Sequence, residues 1–328
     1  MPTFVVIAHE YPRQFARLVE RLSPYPVIVH INARFDQQPF EDAVAHLDNV
    51  TFLPTAERVK INWAGYSLVR ALQALIKHAV VRTQPHDHIV VLSGSDYPLR
   101  PVEDFAAFLR DSPFRQHIRY FDVALSDDHY RRSTSRRHYR DLYIFPRASR
   151  GSILSKINEA YRRTASQIMR WHRPEPLPGG LSPMRGSLWV ALTAECFDDI
   201  MKLTTPRVER CLKRVFCPDE MYFHTMIAAT RHASDNAAGG VEPYPGRPPS
   251  LITNFHLIDD SLDKFFTIDD LEVIESSDRW FLRKVRPPSG DTLLAWLDAR
   301  SSEPSDGPSA RSLAGPNPAK DDVCAGQA

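Results

Sequence analysis

The strongest constraint on the fold is a rhythm in the first hundred residues, where short β-branched runs alternate with amphipathic helices. Phe4 to Ala8 reads as a buried strand, and Phe15, Leu18, Val19 and Leu22 then recur at helical spacing. Val27 to Ile31 is a second strand, a helix follows around Phe40 to Leu47, and Val50 to Leu53 is a third strand. Leu68, Ala71, Leu72, Leu75 and Ile76 make another helical stripe, with Ser67 as its candidate N-cap, before a strand at His88 to Leu92. Parallel strands need crossover connections of this kind, so the pattern predicts an α/β fold with a central, mixed but mostly parallel sheet flanked by helices. Ligands bind such sheets beyond the carboxyl ends of the strands, where Asn32 and the run Ser93 to Asp96 fall.

The remaining elements are less regular. A helix is expected from Ile153 to Arg170, then a Pro/Gly-rich, lid-like loop from Arg173 to Pro183, a strand at Gly186 to Leu192 and a helix at Ala194 to Met201. Strands at Leu251 to Leu257 and Trp280 to Val285, a short helix near Asp269 to Ile274 and a helix at Asp291 to Asp298 close the fold. The 328 residues suffice for one large catalytic domain over residues 1–300. From about Ser301 onward Ser, Pro, Gly, Ala and Asp dominate, which predicts a disordered tail over residues 301–328.

Charge narrows the class of partner. With 41 Lys and Arg against 40 Asp and Glu, no global field recruits nucleic acid or an anionic membrane. The exception is local: between Tyr130 and Arg150, seven arginines interleave with Tyr130, His138, Tyr139 and Tyr143, a mixture that suits RNA or another polyanion as well as a solvated cleft border. No apolar run reaches the roughly 18 residues of a membrane span, and the first ten residues lack a signal-peptide pattern. The expectation is a cytoplasmic protein, at most peripheral on the inner membrane. Cys196, Cys211, Cys217 and Cys324 show no C-x-x-C spacing; a Cys211–Cys217 bridge stays open.

Chemistry points first to Pro218-Asp219-Glu220. Proline suits a first helical position, and the two carboxylates then fall in the first turn, where free N–H groups favour negative charge. That placement serves a catalytic base and a capping residue equally well. His224 shares the Glu220 face at i+4 and is a candidate acceptor contact. His86-Asp87-His88 and Asp127-Asp128-His129 look like metal clusters, but alternating ligands at a strand entrance point to opposite faces, and the second set has no partner motif.

Six segments in order then matter together: Val29-His30-Ile31-Asn32, Trp63-Ala64-Gly65-Tyr66-Ser67, Leu92 to Arg100, Gly186-Ser187-Leu188-Trp189, Pro218-Asp219-Glu220 with Phe223-His224-Thr225, and Trp280 to Lys284. On these the chain resembles the core-2/I-branching β-1,6-N-acetylglucosaminyltransferase and peptide O-xylosyltransferase family of inverting glycosyltransferases, as a bacterial-type member. The resemblance implies a GT-A-like fold, a UDP-sugar donor and a glycan, glycolipid or peptide acceptor, with GlcNAc or xylose as the transferred sugar. It implies Glu220 as catalytic base, Lys284 and Arg283 on the diphosphate, and Asp96 on the donor sugar. Lys264 is a weaker candidate for the diphosphate, and Asn32 stands where the family has an aspartate near the donor base. Trp63 is a candidate wall of the donor pocket, and Trp189 of the acceptor site.

Two departures sharpen the expectation. Ser93-Gly94-Ser95-Asp96 offers one carboxylate where metal-dependent transferases carry Asp-x-Asp, so neither a metal nor another cofactor is expected. Leu188 replaces an aspartate of the xylosyltransferase branch, leaving Glu220 as the carboxylate in position and tilting the chemistry toward N-acetylglucosamine transfer. The competing classes are a non-enzymatic RNA or polyanion binder using residues 130–150, and a glycoside hydrolase using Asp219 and Glu220. Neighbouring helix residues rarely span a sugar with the separation that hydrolysis needs.

Overall fold

A computed structural model describes residues 1–142, 145, 152–168 and 175–301. Ten strands are β1 (Thr3–Ala8), β2 (Val27–Ile31), β3 (Val50–Phe52), β4 (His88–Ser93), β5 (Asp96–Pro98), β6 (Phe121–Asp122), β7 (Met184–Arg185), β8 (Ala191–Thr193), β9 (His256–Ile258) and β10 (Phe281–Arg283). The central sheet runs β3-β2-β1-β4-β8. All its pairings are parallel except that of β4 with β8, so the expected mixed, mostly parallel α/β sheet is present. The strand order reverses direction between β1 and β4, and in sheets of this kind the ligand crevice lies at that point, beyond the carboxyl ends of the strands. A smaller sheet, β5-β10-β9, joins the late strands to the residues that follow β4.

The period of two along each strand divides the core. Val5, Ile28, Ile89 and Val91 face one layer, packed on the helices Tyr66–Val80, Ala194–Leu203 and Asp219–Ile227. Phe4, Val6, Val27, Val29, Val90 and Leu92 face the other, with helices Pro12–Leu22, Val102–Asp111 and Asp291–Ser301. Each such side chain, taken fully from water, contributes about 1.5–3 kcal/mol before the cost of ordering it. Helix Pro12–Leu22 shows how the sequence specifies this: Pro12 presets the first turn, and Phe15, Leu18, Val19 and Leu22 are buried on one side.

Several boundaries differ from the expectation. The single strand foreseen over Gly186 to Leu192 is two short ones, β7 and β8, separated by Gly186 to Val190. The strand foreseen at Leu251 to Leu257 starts later, at His256, after a 3₁₀ turn at Pro249–Leu251. Helices Val102–Asp111, Asp128–Ser135 and Pro206–Leu212 were not foreseen. Ser67 is not the N-cap of its helix, which starts at Tyr66 after Gly65. The cap comes from 74 residues away: Asp141 accepts from Ser67 N at 2.9 Å and from Ser67 Oγ at 2.6 Å. Gly65 makes room for it, because a Cβ there would stand 2.3 Å from Asp141 Oδ1. Cys196, Cys211 and Cys217 are free thiols, so no Cys211–Cys217 bridge forms. Tyr143, Arg147 and Arg150 of the basic stretch, the start of the 173–183 loop, Cys324 and the tail 302–328 lie outside the described residues.

Three histidines are held neutral by burial. His30, which accepts from Val59 N at 2.8 Å, is lowered to about 4, and His117 and His224 are each lowered to about 3. The unfolded chain takes up these protons near pH 6.5, whereas the folded one does not, so stability is full above about pH 6.5 and is lost as pH falls below it. Each site removes about 1.4 kcal/mol per pH unit in that window. The urea midpoint should therefore fall between pH 6.5 and 4.5, and more shallowly in a His117→Phe variant; equal slopes in the two proteins would contradict this.

Candidate functional site

Asp96, the first residue of β5, is 0% exposed. Isolated, such a carboxylate would be costly to ionise; here Arg283 Nη1 donates to Oδ1 at 2.6 Å, Ser93 N donates to Oδ2 at 2.7 Å, and His256 Nε2 lies 3.3 Å from Oδ2. Burial raises its pKa, but Arg283 and His256 more than offset that, and the net value is depressed to about 2. Arg283 also donates to Ser93 Oγ and lies 3.9 Å above the Trp189 ring. Asp96, foreseen as a ligand of the donor sugar, thus exposes no atom; it fixes the Arg283 guanidinium at the crevice.

Lys284 follows directly. Its carbonyl accepts from Phe266 N, and the next residue, Val285, donates to Ser95 O at 3.0 Å, so the lysine is pinned beside the Ser93–Ser95 turn. The ammonium lies 4.8 Å from the Phe265 ring and makes no ion pair among the described residues. Partial burial, then Arg283, lowers its pKa. Lys264, by contrast, pairs with Asp270 at 2.6 Å, which occupies its charge. Asn32 is buried, and its Oδ1 accepts from Arg34 N and Ile61 N, each at 3.2 Å. This oxygen holds the loop after β2.

The second half of the site is built on helix Asp219–Ile227. Glu220 is 30% exposed at its side chain, and its Oε2 accepts from Arg185 Nη2. Its carbonyl accepts from Gly186 N at 3.0 Å, so main chain and side chain both dock on the Arg185–Gly186 step. Gly186 is required there, because a Cβ would lie 2.1 Å from Arg119 O. His224, one turn on, faces the same segment as the i+4 spacing implies, with Nε2 3.0 Å from Ser187 O. It is 0% exposed, however, and fastens the Gly186-Ser187 loop from inside instead of lining an acceptor surface. Asp219 is not a cap either: no side-chain bond closes the helix start, and its Oδ1 is buried without a partner. Burial and the adjacent Glu220 push its pKa up to about 7.

One segment joins the halves. Arg185 grips Glu220 and Trp189 stacks on Arg283, and these two residues are four steps apart along one chain, so their Cα atoms are at most about 14 Å apart. Leu188, between them, is buried in the core. Trp63 belongs to the Glu220 side: 74% exposed, it meets Phe216 edge-on at 5.7 Å, and Arg140 lies 5.1 Å from both rings. Arg214 likewise covers Tyr139. Tyr139 and Tyr130 of the basic stretch are thus covered by arginines of this chain, Arg214 and Arg185, and Asp127 caps a helix and pairs with Arg247, with no ligand role needed to explain them.

Sequence reasoning missed Arg185, His256 and Asp141. Arg185 precedes the Gly186-Ser187 motif and was legible as a basic residue beside it; the other two are brought in from distant segments. The buried pair gives a direct test. Asp96→Asn removes the charge that offsets Arg283 and should cost about 3 kcal/mol of stability in urea unfolding; a change under about 0.5 kcal/mol would show that the pair is not structural.

The Core-2/I-branching enzyme family model matches residues 3–240, which include Asn32, Asp96, Arg185 and Glu220 but end before Arg283 and Lys284. No curated protein matches the chain. Among the described residues no helix is long and apolar enough to cross a membrane. With the model spanning most of the chain, from β1 through the Glu220 helix, the protein belongs to the Core-2/I-branching enzyme family and is a glycosyltransferase.

Proposed function

We propose that this glycosyltransferase moves a sugar, GlcNAc or xylose, from a UDP-sugar to a hydroxyl of a glycan, glycolipid or peptide acceptor, with inversion and without a metal ion. The observation that carries the reading is the Met184–Trp189 stretch, which holds the half-exposed Glu220 carboxylate at one end and the Arg283 guanidinium at the other. The two groups are the opposite charges that a displacement of this type uses on its two sides.

Glu220 accepts the acceptor proton as the acceptor oxygen forms its bond to the anomeric carbon. The bond from that carbon to the diphosphate oxygen breaks on the opposite face, and its electron pair leaves with UDP. Arg283, preset by Asp96 and Ser93, and Lys284, which makes no ion pair among the described residues, meet the developing diphosphate charge. Because Arg283 is already held in place, little reorganisation is needed when that charge appears. Arg185 orients the base.

Glu220→Gln should lower the transfer rate at least about 100-fold while leaving UDP binding within about twofold; turnover near the parent level would refute the assignment. Lys284→Ala should weaken UDP binding about tenfold by calorimetry, about 1.4 kcal/mol. Transfer should persist after exhaustive chelation, and activity restored only by manganese would count against charge neutralisation by side chains alone.

A further inference from the structure

Helix Ile153–Ile168 is nearly uncovered: among its described side chains only Asn158 is buried. At 3.6 residues per turn, Ile153, Leu154, Ile157, Tyr161 and Ile168 fall within an arc of about 100°. Their exposures are 74%, 44%, 41%, 39% and 63%, so the apolar face of this helix is turned to solvent. Asn158 clamps the main chain of Phe145 in both directions, at 2.9 and 2.8 Å, and adds a sixth apolar side chain, 38% exposed, beside the helix. Leaving such a stripe in water is unfavourable and marks a docking face.

Charge decides what docks. Lys156 and Arg163 border one edge of the arc and Arg162 lies beyond the other. Between residues 130 and 168 the sequence carries ten Arg or Lys against two Asp or Glu, while the whole chain is balanced at 41 against 40, so the remainder is net acidic. On the helix itself Lys156, Arg162 and Arg163 stand against one acid, Glu159, which pairs with both arginines, so the helix is net basic beside its apolar stripe. A second copy would bring two net basic surfaces together. A stable dimer also needs about 800 Å² per partner, more than one helical stripe of this size offers. An anionic surface with an apolar interior satisfies both features.

We propose that helix Ile153–Ile168 lies in the surface of an anionic lipid bilayer, with Ile153, Ile157, Tyr161 and Ile168 inserted below the headgroups and Lys156, Arg162 and Arg163 against the phosphates. The inference does not depend on the transfer chemistry.

The test is flotation of the full chain with vesicles of phosphatidylcholine alone or with about 30 mol% phosphatidylglycerol, which gives the surface a negative potential. The chain should float with the anionic vesicles only, and binding should drop at least tenfold when salt is raised from about 50 to 500 mM. Ile157→Glu and Tyr161→Glu should each abolish flotation, and Lys156→Glu with Arg163→Glu should weaken it at least tenfold, with UDP binding and thermal midpoint unchanged. Flotation retained by Ile157→Glu and Tyr161→Glu would overturn the proposal. So would equal binding to both vesicle types, or no flotation with a dimer in light scattering that Ile157→Glu converts to monomer.

Discussion

The candidate site depends on one buried ion pair. Asp96 could not remain a carboxylate at 0% exposure without the Arg283 guanidinium, and Arg283 could not hold one orientation at the crevice without Asp96, Ser93 and the Trp189 ring. The pair connects residues 187 apart and fastens β10 to β5, just beyond β4. Through it the late strands, which lie outside the matched family region, become part of the crevice made by the first hundred residues. Lys284 inherits its position from the same attachment.

The Met184–Trp189 stretch carries that organisation across to the Glu220 helix. The run from Met184 to Thr193 that contains it is not one continuous strand because it serves two sheets: β7 pairs with β6, β8 pairs with β4, and the residues between follow the surface of helix Asp219–Ile227. A side chain at Gly186 would separate the segment from Arg119 and His224. The helix start then places two adjacent carboxylates in opposite environments. Glu220 reaches partly into solvent with an arginine partner, whereas Asp219 is buried and its proton affinity rises. Neighbours in sequence thus acquire different chemistry from burial and from the charge beside them.

Much of the fold was legible in the sequence because its signals are local. The alternation of Val-Ile runs with stripes such as Leu68, Leu72, Leu75 and Ile76 reflects strands and helices whose faces are set by residues two or four apart. Helix Val102–Asp111 carried the same signal, with Val102, Phe105, Ala106 and Leu109 at helical spacing and Glu103 and Asp104 in its first turn, and was hidden only by the turn chemistry before it. β7 and β8 were not separable by pattern, since both are buried and the break between them is imposed by the helix they flank.

The residue types at the site were equally legible: a carboxylate in a helix start, a single aspartate after the central strand, a basic pair late in the chain. Their partners were not. That Asp141 caps a helix 74 residues away, that His224 is sealed inside, and that Asp96 serves Arg283 instead of facing the crevice all follow from contacts between segments distant in sequence. Local sequence determined the sheet, its two apolar faces and the charged residues available at its edge. Tertiary structure alone decided which of those charges are exposed and which are spent on one another, because burial and the distance to an opposite charge are properties of the packed chain and not of any stretch of it.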